Sequence, residues 1–184
     1  MGMRILLFTL LAFLIAGCLQ LPPSMNSKIA ELNALHDQFL RPGQLVPDTA
    51  NNTEIWQARL EDFTLKTQAQ PFEGKEALLA WVDIWLNANA MQRTLFKAYE
   101  GFGTLTRLHT DCSKASAPGK IITRLRQARD QADALVAKTK YFESAHAGLA
   151  LKLGSLHAWK DFAGSVKETA NALEGQIQVN CRTF

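Results

Sequence analysis

The stretch that decides the fold is residues 156–177, LHAWKDFAGSVKETANALEGQI. Its apolar side chains recur at alternating steps of three and four residues, which places them along one edge of a helix. The edge consists of Leu156, Trp159, Ala163, Val166, Ala170, Leu173 and Ile177. An unbroken series of this kind is typical of a helix that packs lengthwise against other helices. We therefore predict a long final helix over about residues 147–178, within a helical bundle.

Four earlier helices are predicted by the same periodicity. Asn26 or Ser27 is suited to cap the first helix, because a short polar side chain accepts hydrogen bonds from the first turn. Thr53 is suited to cap the second, which ends before Pro71 because proline interrupts a helix. The four helices are predicted at about residues 26–40, 53–70, 75–100 and 120–142.

Glycine and proline mark the expected interruptions between the later helices. The Gly-Phe-Gly run at 101–103 weakens the end of the third helix, and the Ser-Ala-Pro-Gly run at 116–119 separates the third from the fourth. No stretch alternates apolar and polar residues with the period of a half-buried strand. The predicted fold class is therefore all-α, an antiparallel bundle of four to five helices, with residues 26–184 forming a single domain.

The N-terminal segment has the pattern of an export signal. Arg4 precedes an apolar run at 5–16, which has the length of a signal-peptide core and is too short to span a bilayer comfortably. The run closes at Ile15-Ala16-Gly17-Cys18, which resembles the lipobox of bacterial lipoproteins. This resemblance covers only residues 1–18. It implies that residues 1–17 are a signal peptide and that Cys18 carries the lipid; an ordinary signal or an uncleaved anchor is the alternative.

The resemblance also implies a location. Leu19 rather than an aspartate follows Cys18, which in lipoproteins of the enteric type implies transport to the outer membrane, facing the periplasm of a Gram-negative envelope. Residues 18–25 then form a short tether, stiffened by two prolines, that reaches at most about 29 Å. We therefore expect the domain to stay close to the membrane, with Cys18 as its membrane partner.

Two further cysteines, Cys112 and Cys181, follow Cys18. An even pair in an exported protein favours a disulfide, because the periplasm is oxidising. The bond would close a loop of about 70 residues and staple the end of the third helix to the end of the last, stabilising the fold by about 4 kcal/mol. Two unpaired thiols or a metal site are the alternatives, although no histidine lies at ligand spacing from either cysteine.

Catalytic and cofactor motifs are missing from the sequence. It has no Gly-rich phosphate loop, no His-Glu-x-x-His pair and no Gly-x-Ser-x-Gly elbow. The four histidines are too scattered to indicate a metal site. We therefore expect no enzyme activity, no cofactor and no metal. The formal net charge of +3 is too small to indicate binding to nucleic acid. The histidines are His36, His109, His146 and His157.

Three features suggest contacts with partners. Trp81 and Trp85 lie one helical turn apart, with Trp56 as a possible neighbour, so the three form either the core or a hydrophobic cleft. The fourth helix is rich in cations. They form either a solvated face, with the pairs Arg126–Asp130 and Arg129–Asp133 four residues apart, or a surface for anionic headgroups or an acidic partner. Glycines in the last helix permit close approach by a neighbouring helix. The cations are Lys120, Arg124, Arg126, Arg129, Lys138 and Lys140, and the glycines are Gly148, Gly154, Gly164 and Gly175.

The resulting hypothesis is a membrane-anchored lipoprotein that acts as an accessory module of an envelope assembly. In its lipobox, its helical bundle and its disulfide it is similar to the small pilotin-type lipoproteins that escort secretins, and a scaffold role is equally compatible. The alternative is a periplasmic carrier of a lipid or another hydrophobic ligand, held in a cleft lined by Trp56, Trp81 and Trp85. The partner, the ligand and the oligomeric state are left open by the sequence.

Overall fold

The computed structural model describes residues 24–107, 116–153 and 156–182. These residues form helices and contain no strand, which confirms the all-α prediction for this part of the chain. The signal peptide, Cys18 and Cys112 lie outside it. The helices are α1 Met25–Phe39, α2 Ala50–Gln68, α3 Lys75–Arg107, α4 Ser116–Ala145, α5 Ala147–Leu153 and α6 Leu156–Arg182.

The predicted apolar edge of the last helix is confirmed along its full length. All seven of its side chains are buried, from Leu156 at the start of α6 to Ile177 near its end. The predicted helix is nevertheless divided, because the chain forms the short α5 and then α6. The count is therefore six helices among the described residues, rather than four to five. Glycines at 148 and 154 lower the helix propensity of exactly this region.

The caps of the first two helices lie earlier than predicted. Ser24, not Asn26 or Ser27, caps α1, and its hydroxyl accepts a hydrogen bond from the backbone N–H of Ser27. Thr49 caps α2 in the same way. Thr53 lies inside α2, fully buried, and donates its hydroxyl hydrogen to a backbone carbonyl of the preceding turn. Several residues near the start of α1 and of α2 have side chains suited to a cap. Ser24 and Thr49 are the caps because their backbone is extended, as a cap position requires.

The predicted interruptions after the third helix are also wrong in position. Helix α3 continues through the Gly-Phe-Gly run at 101–103 and extends to Arg107. The run at 116–119 forms the first turn of α4 rather than a break. Proline is compatible with that place, since the first turn of a helix has no intrahelical partner for its N–H groups.

Gly101 allows α3 and α4 to approach closely. A Cβ atom at this position would lie 2.9 Å from Cγ1 of Ile121, closer than packed carbon atoms come. The described glycines of the last segment do not have this role within the bundle, so the prediction that they allow close approach by another helix of this chain is wrong, and approach by a second chain stays a prediction. A Cβ atom at Gly148, Gly164 or Gly175 would have no neighbour within 4 Å, and Gly154 lies outside the described residues.

Contacts between the long helices show an antiparallel order. As residue numbers rise along one helix of each pair, they fall along its neighbour, for α2 with α3, α3 with α4, and α4 with α6. The contacts that define this order are Glu54–Arg93 and Trp56–Trp85, then Asp83–Lys138 and Lys97–Arg124, then Asp133–Lys167 and Glu143–Lys160. The antiparallel bundle therefore follows from cross-helix contacts along the length of each pair.

One end of the bundle gathers the starts of α1, α3 and α6 and the ends of α2 and α4. Met25 lies beside Gly74, and His36 lies beside Trp85, so α1 runs parallel to α3 from this end. Helix α5 joins α4 to α6 here. We call this region the tether end, defined as residues 24–26, 69–77 and 145–153, because the chain from Cys18 enters the fold at Ser24.

We predict that Gly101→Ala does not stabilise the protein, although alanine improves helix propensity by up to about 1 kcal/mol. The added methyl group would push Ile121 out of the packing between α3 and α4. Gly164→Ala is the matched control, since its methyl group meets nothing, and it should stabilise by about 0.5–1 kcal/mol. Urea unfolding of both variants measures the difference, and equal gains would contradict the close approach at Gly101.

Candidate functional site

The three tryptophans predicted to line a core or a cleft are in contact with one another. The ring centroids of Trp56 and Trp85 lie 5.8 Å apart, and those of Trp81 and Trp85 lie 6.2 Å apart. Trp159 of α6 joins them, at 6.3 Å from Trp81 and 6.2 Å from Trp85. The sequence placed Trp159 on a packing edge, but gave no signal that all four indoles meet.

These indoles belong to the core. Trp56 is fully buried, Trp81 is 3% exposed and Trp85 is 6% exposed. Phe39 of α1 and Phe142 of α4 extend the cluster on either side. The structure therefore brings the predicted residues together as a packed aromatic cluster, in which a ligand would fit only if helices moved apart.

The described histidines take part in packing and in local polar contacts. Nε2 of His36 lies 3.2 Å from the carbonyl oxygen of Gln44, and its ring lies 5.4 Å from Trp85. His146 packs on Phe142 with ring centroids 5.2 Å apart. Within the described ranges, no three His, Cys, Asp or Glu side chains come close enough to hold a metal ion. His109 lies outside those ranges.

A groove opens at the tether end. Its volume is about 590 Å³, and its walls come from the start of α1, the turn between α2 and α3, the start of α3 and helix α5. The apolar part of the lining consists of Met25, Phe72, Ala77 and Leu149. Three separated segments of the chain form this groove, so sequence periodicity could not reveal it.

Two large apolar side chains are exposed at or near the tether end. Leu151, on α5, is 87% exposed, and Tyr141, in the last turns of α4, is 65% exposed. Single exposed apolar residues are common on proteins. Here they lie near an apolar groove and near the point where the chain enters the fold, which makes the tether end the principal candidate for a functional surface.

A second, polar depression of about 300 Å³ lies between the start of α2 and the middle of α3. Its charged lining residues are Glu54, Arg93, Lys97 and Glu100. Arg93 and Glu54 form an ion pair of 3.2 Å. Because two carboxylates stand against two cations, the depression has no net preference for an anion or a cation.

Cations of α4 bind the neighbouring helices. Arg126 and Arg129 both contact the carboxylate of Glu174 on α6, at 3.1 and 2.7 Å. Lys138 pairs with Asp83 of α3. The sequence predicted pairs of Arg126 with Asp130 and of Arg129 with Asp133 along α4, but Asp133 instead pairs with Lys167 of α6. Arg126, Arg129 and Lys138 therefore join α4 to its neighbouring helices. A surface for anionic headgroups on α4 would depend on the remaining cations of that helix.

The chain matches no family model, no curated protein and no solved structure. In the part that the structure describes, no helix is long and apolar enough to cross a bilayer. Function must therefore be argued from the sequence signal and from the surfaces described above.

We predict that Glu174→Ala destabilises the fold by about 1–2 kcal/mol, because it removes a carboxylate that binds two arginines. The side chain of Glu174 is 9% exposed, so water replaces this interaction poorly. Asp62→Ala is the matched control, since Asp62 is 52% exposed and pairs only with Lys66 of its own helix. It should cost less than about 0.5 kcal/mol. Similar losses in chemical denaturation would show that Glu174 does not join α4 to α6.

Proposed function

We propose that this chain is a lipid-anchored accessory lipoprotein of the Gram-negative cell envelope, held by Cys18 in the outer membrane and facing the periplasm. The observation that carries the proposal is the position of the entry point. The described part of the chain begins at Ser24, the cap of α1, and six residues from Cys18 reach at most about 22 Å. A bundle attached in this way has one end fixed near the membrane and its long sides open to a partner.

The flank formed by α2 supports a protein partner. Helix α2 lies at the edge of the bundle and packs mainly on α1 and α3. Ile55 and Leu65, on its outer surface, are 41% and 67% exposed. An edge helix with exposed apolar side chains can receive an apolar helix of a partner, which is the mode expected of a pilotin-like or scaffold module.

The ligand carrier is the weaker hypothesis. It was predicted on the basis of a cleft lined by Trp56, Trp81 and Trp85, and these side chains fill the core instead. Opening a cavity among them would remove contacts that a close-packed interior depends on. The accessory role needs no such opening.

We predict that Cys18→Ser abolishes acylation and moves the protein from the membrane fraction to the soluble fraction. Stable anchoring needs more than one acyl chain, and Cys18 is the proposed site of all of them. Intact mass and fractionation of envelopes measure the two effects. In the same envelopes, chemical cross-linking of the tagged parent chain should recover a partner protein. The Cys18→Ser and Leu65→Gln variants should recover much less of that partner.

Leu19→Asp is the matched control for this experiment. It should keep the acyl chains and the membrane fraction but shift the protein to the inner membrane, if the cell follows the enteric sorting rule. A parent chain without acyl chains would contradict the anchor. An acylated chain at the outer membrane with no cross-linked partner would contradict the accessory role alone.

A disulfide between Cys112 and Cys181 completes the proposal. Cys181 lies in the last turn of α6, partly buried and packed against the core, at the end of the bundle opposite the tether end. Cys112 belongs to the segment that joins α3 to α4, outside the described residues. The bond would fasten the end of α6 to the α3–α4 connection.

We predict that reduction of the folded protein lowers its free energy of unfolding by about 4 kcal/mol. Without the bond, the unfolded chain gains the conformational entropy that closing a loop of about 70 residues would remove. Peptide mapping without reductant should recover Cys112 and Cys181 in one linked pair. The variant with serine at both positions should show the same loss of stability without reductant. Two alkylated thiols in the native envelope protein would contradict the bond.

A further inference from the structure

Helix α5 carries few polar residues for a helix at the surface of the bundle. Its sequence is AGLALKL, in which Lys152 is the single charged residue. Leu149, Ala150 and Leu153 pack against the core, whereas Leu151 is 87% exposed. Surface helices of soluble domains direct polar residues toward water. A single exposed leucine is common on proteins, but one on so apolar a helix leaves room for an explanation beyond folding.

The place where the chain enters the fold supplies that explanation. Gly148 and Leu149 of α5 line the same groove as Ser24 and Met25, so α5 lies next to the residues that follow the tether. Because Cys18 is six residues before Ser24, the lipid is attached within about 22 Å of Ser24, across the groove from α5. The apolar side chains of this end are therefore held near the bilayer whenever the lipid is inserted.

We propose that the tether end rests on the bilayer, with Leu151 inserted among the acyl chains near the interface and Tyr141 close to the headgroups. This inference rests on the proposed anchor at Cys18. Leucine side chains of interfacial helices bury in the boundary between headgroups and acyl chains. Tyrosine is enriched at headgroup level because its ring is apolar and its hydroxyl is polar. The two residues thus have the chemistry that each depth requires.

A lipid surface fits this end better than a second copy of the chain. The tether brings the end to the bilayer in every anchored molecule, while contact with a second copy depends on encounter between two molecules. The lining of the groove at this end is mainly apolar and includes Met25 and Phe72, while Ser24, Asn26 and Glu73 supply its polar part. Such a surface can accept mobile acyl chains without a defined partner shape.

The test uses Leu151→Trp in the full, acylated chain, reconstituted in vesicles of phosphatidylethanolamine and phosphatidylglycerol. Some vesicles carry phospholipids with brominated acyl chains, which quench an indole that touches them. The four native tryptophans are at most 6% exposed, so they provide a constant background. The emission added by Leu151→Trp should fall by about half or more in brominated vesicles, because the side chain lies among the acyl chains.

Val179→Trp is the matched control. Val179 is 63% exposed and lies 23 residues along α6 from Leu156, which is about 35 Å from the tether end. Its added emission should not change in brominated vesicles. Circular dichroism and thermal unfolding of both variants verify that the fold is retained at these exposed positions.

The outcomes separate this inference from the proposed function. An acylated, membrane-bound Leu151→Trp chain without quenching overturns the bilayer contact and leaves the anchor intact. Intact mass without acyl chains contradicts the anchor itself, and the bilayer contact falls with it. A concentration-dependent dimer of the Cys18→Ser chain that Leu151→Gln abolishes, seen by ultracentrifugation, would assign this surface to a second copy and would also overturn the proposal.

Discussion

Burial of four indoles in the half of the bundle nearest the tether end is the interaction on which the other contacts depend. Trp56, Trp81, Trp85 and Trp159 join α2, α3 and α6, while Phe142 adds α4. Replacing one buried aromatic side chain by alanine costs about 3–5 kcal/mol, against a total stability of about 5–15 kcal/mol for a domain. The Nε1 atoms of three of these indoles have no hydrogen-bond partner among the described residues. Burying an unpaired N–H group costs free energy, so the free energy gained from apolar contact must exceed that cost.

The charged contacts follow from the order that the aromatic cluster imposes. Once the indoles fix α2, α3 and α6 relative to one another, α4 lies between α3 and α6, and its cations face carboxylates on both neighbours. Lys138 meets Asp83 of α3, and Arg129 meets Glu174 of α6. An exposed pair such as Lys138–Asp83 contributes little energy by itself, whereas Glu174 is only 9% exposed and contributes more. The larger effect of these pairs is to disfavour other registers, because a shift of one turn would separate the opposite charges.

The sequence predicts the features of the fold that depend only on the residues of a single helix. The edge from Leu156 to Ile177 is buried as predicted, because its periodicity depends only on the pitch of a helix. The effect of Gly101 could not be predicted, since its reason is Ile121, a residue 20 positions away on another helix. The pairing of Arg126 failed for the same reason, because a local partner at four residues competes with Glu174 across the bundle.

The candidate site was predicted only in part. The sequence placed Trp81 and Trp85 one turn apart, but whether they line a cleft or fill a core depends on what α6 brings to them, and Trp159 fills that space. The groove at the tether end is lined by three separated segments of the chain, so no local pattern encodes it. The sequence shows that Leu151 is apolar, but its exposure depends on which residues of α5 pack against the core, and these are Leu149, Ala150 and Leu153.

The tether and the bundle together constrain where a partner can bind. A helix of 33 residues, such as α3, is about 50 Å long, so a bundle that stands on its tether end extends about that far from the membrane. Ile55 and Leu65 are ten residues apart on α2, about 15 Å along this axis. A partner on that flank would therefore meet the bundle at a defined height above the bilayer. If the proposed anchor at Cys18 and the proposed bilayer contact at the tether end both hold, they would restrict the orientation of the bundle as well as its location, and a soluble partner would gain affinity only if its own binding segment reaches that height.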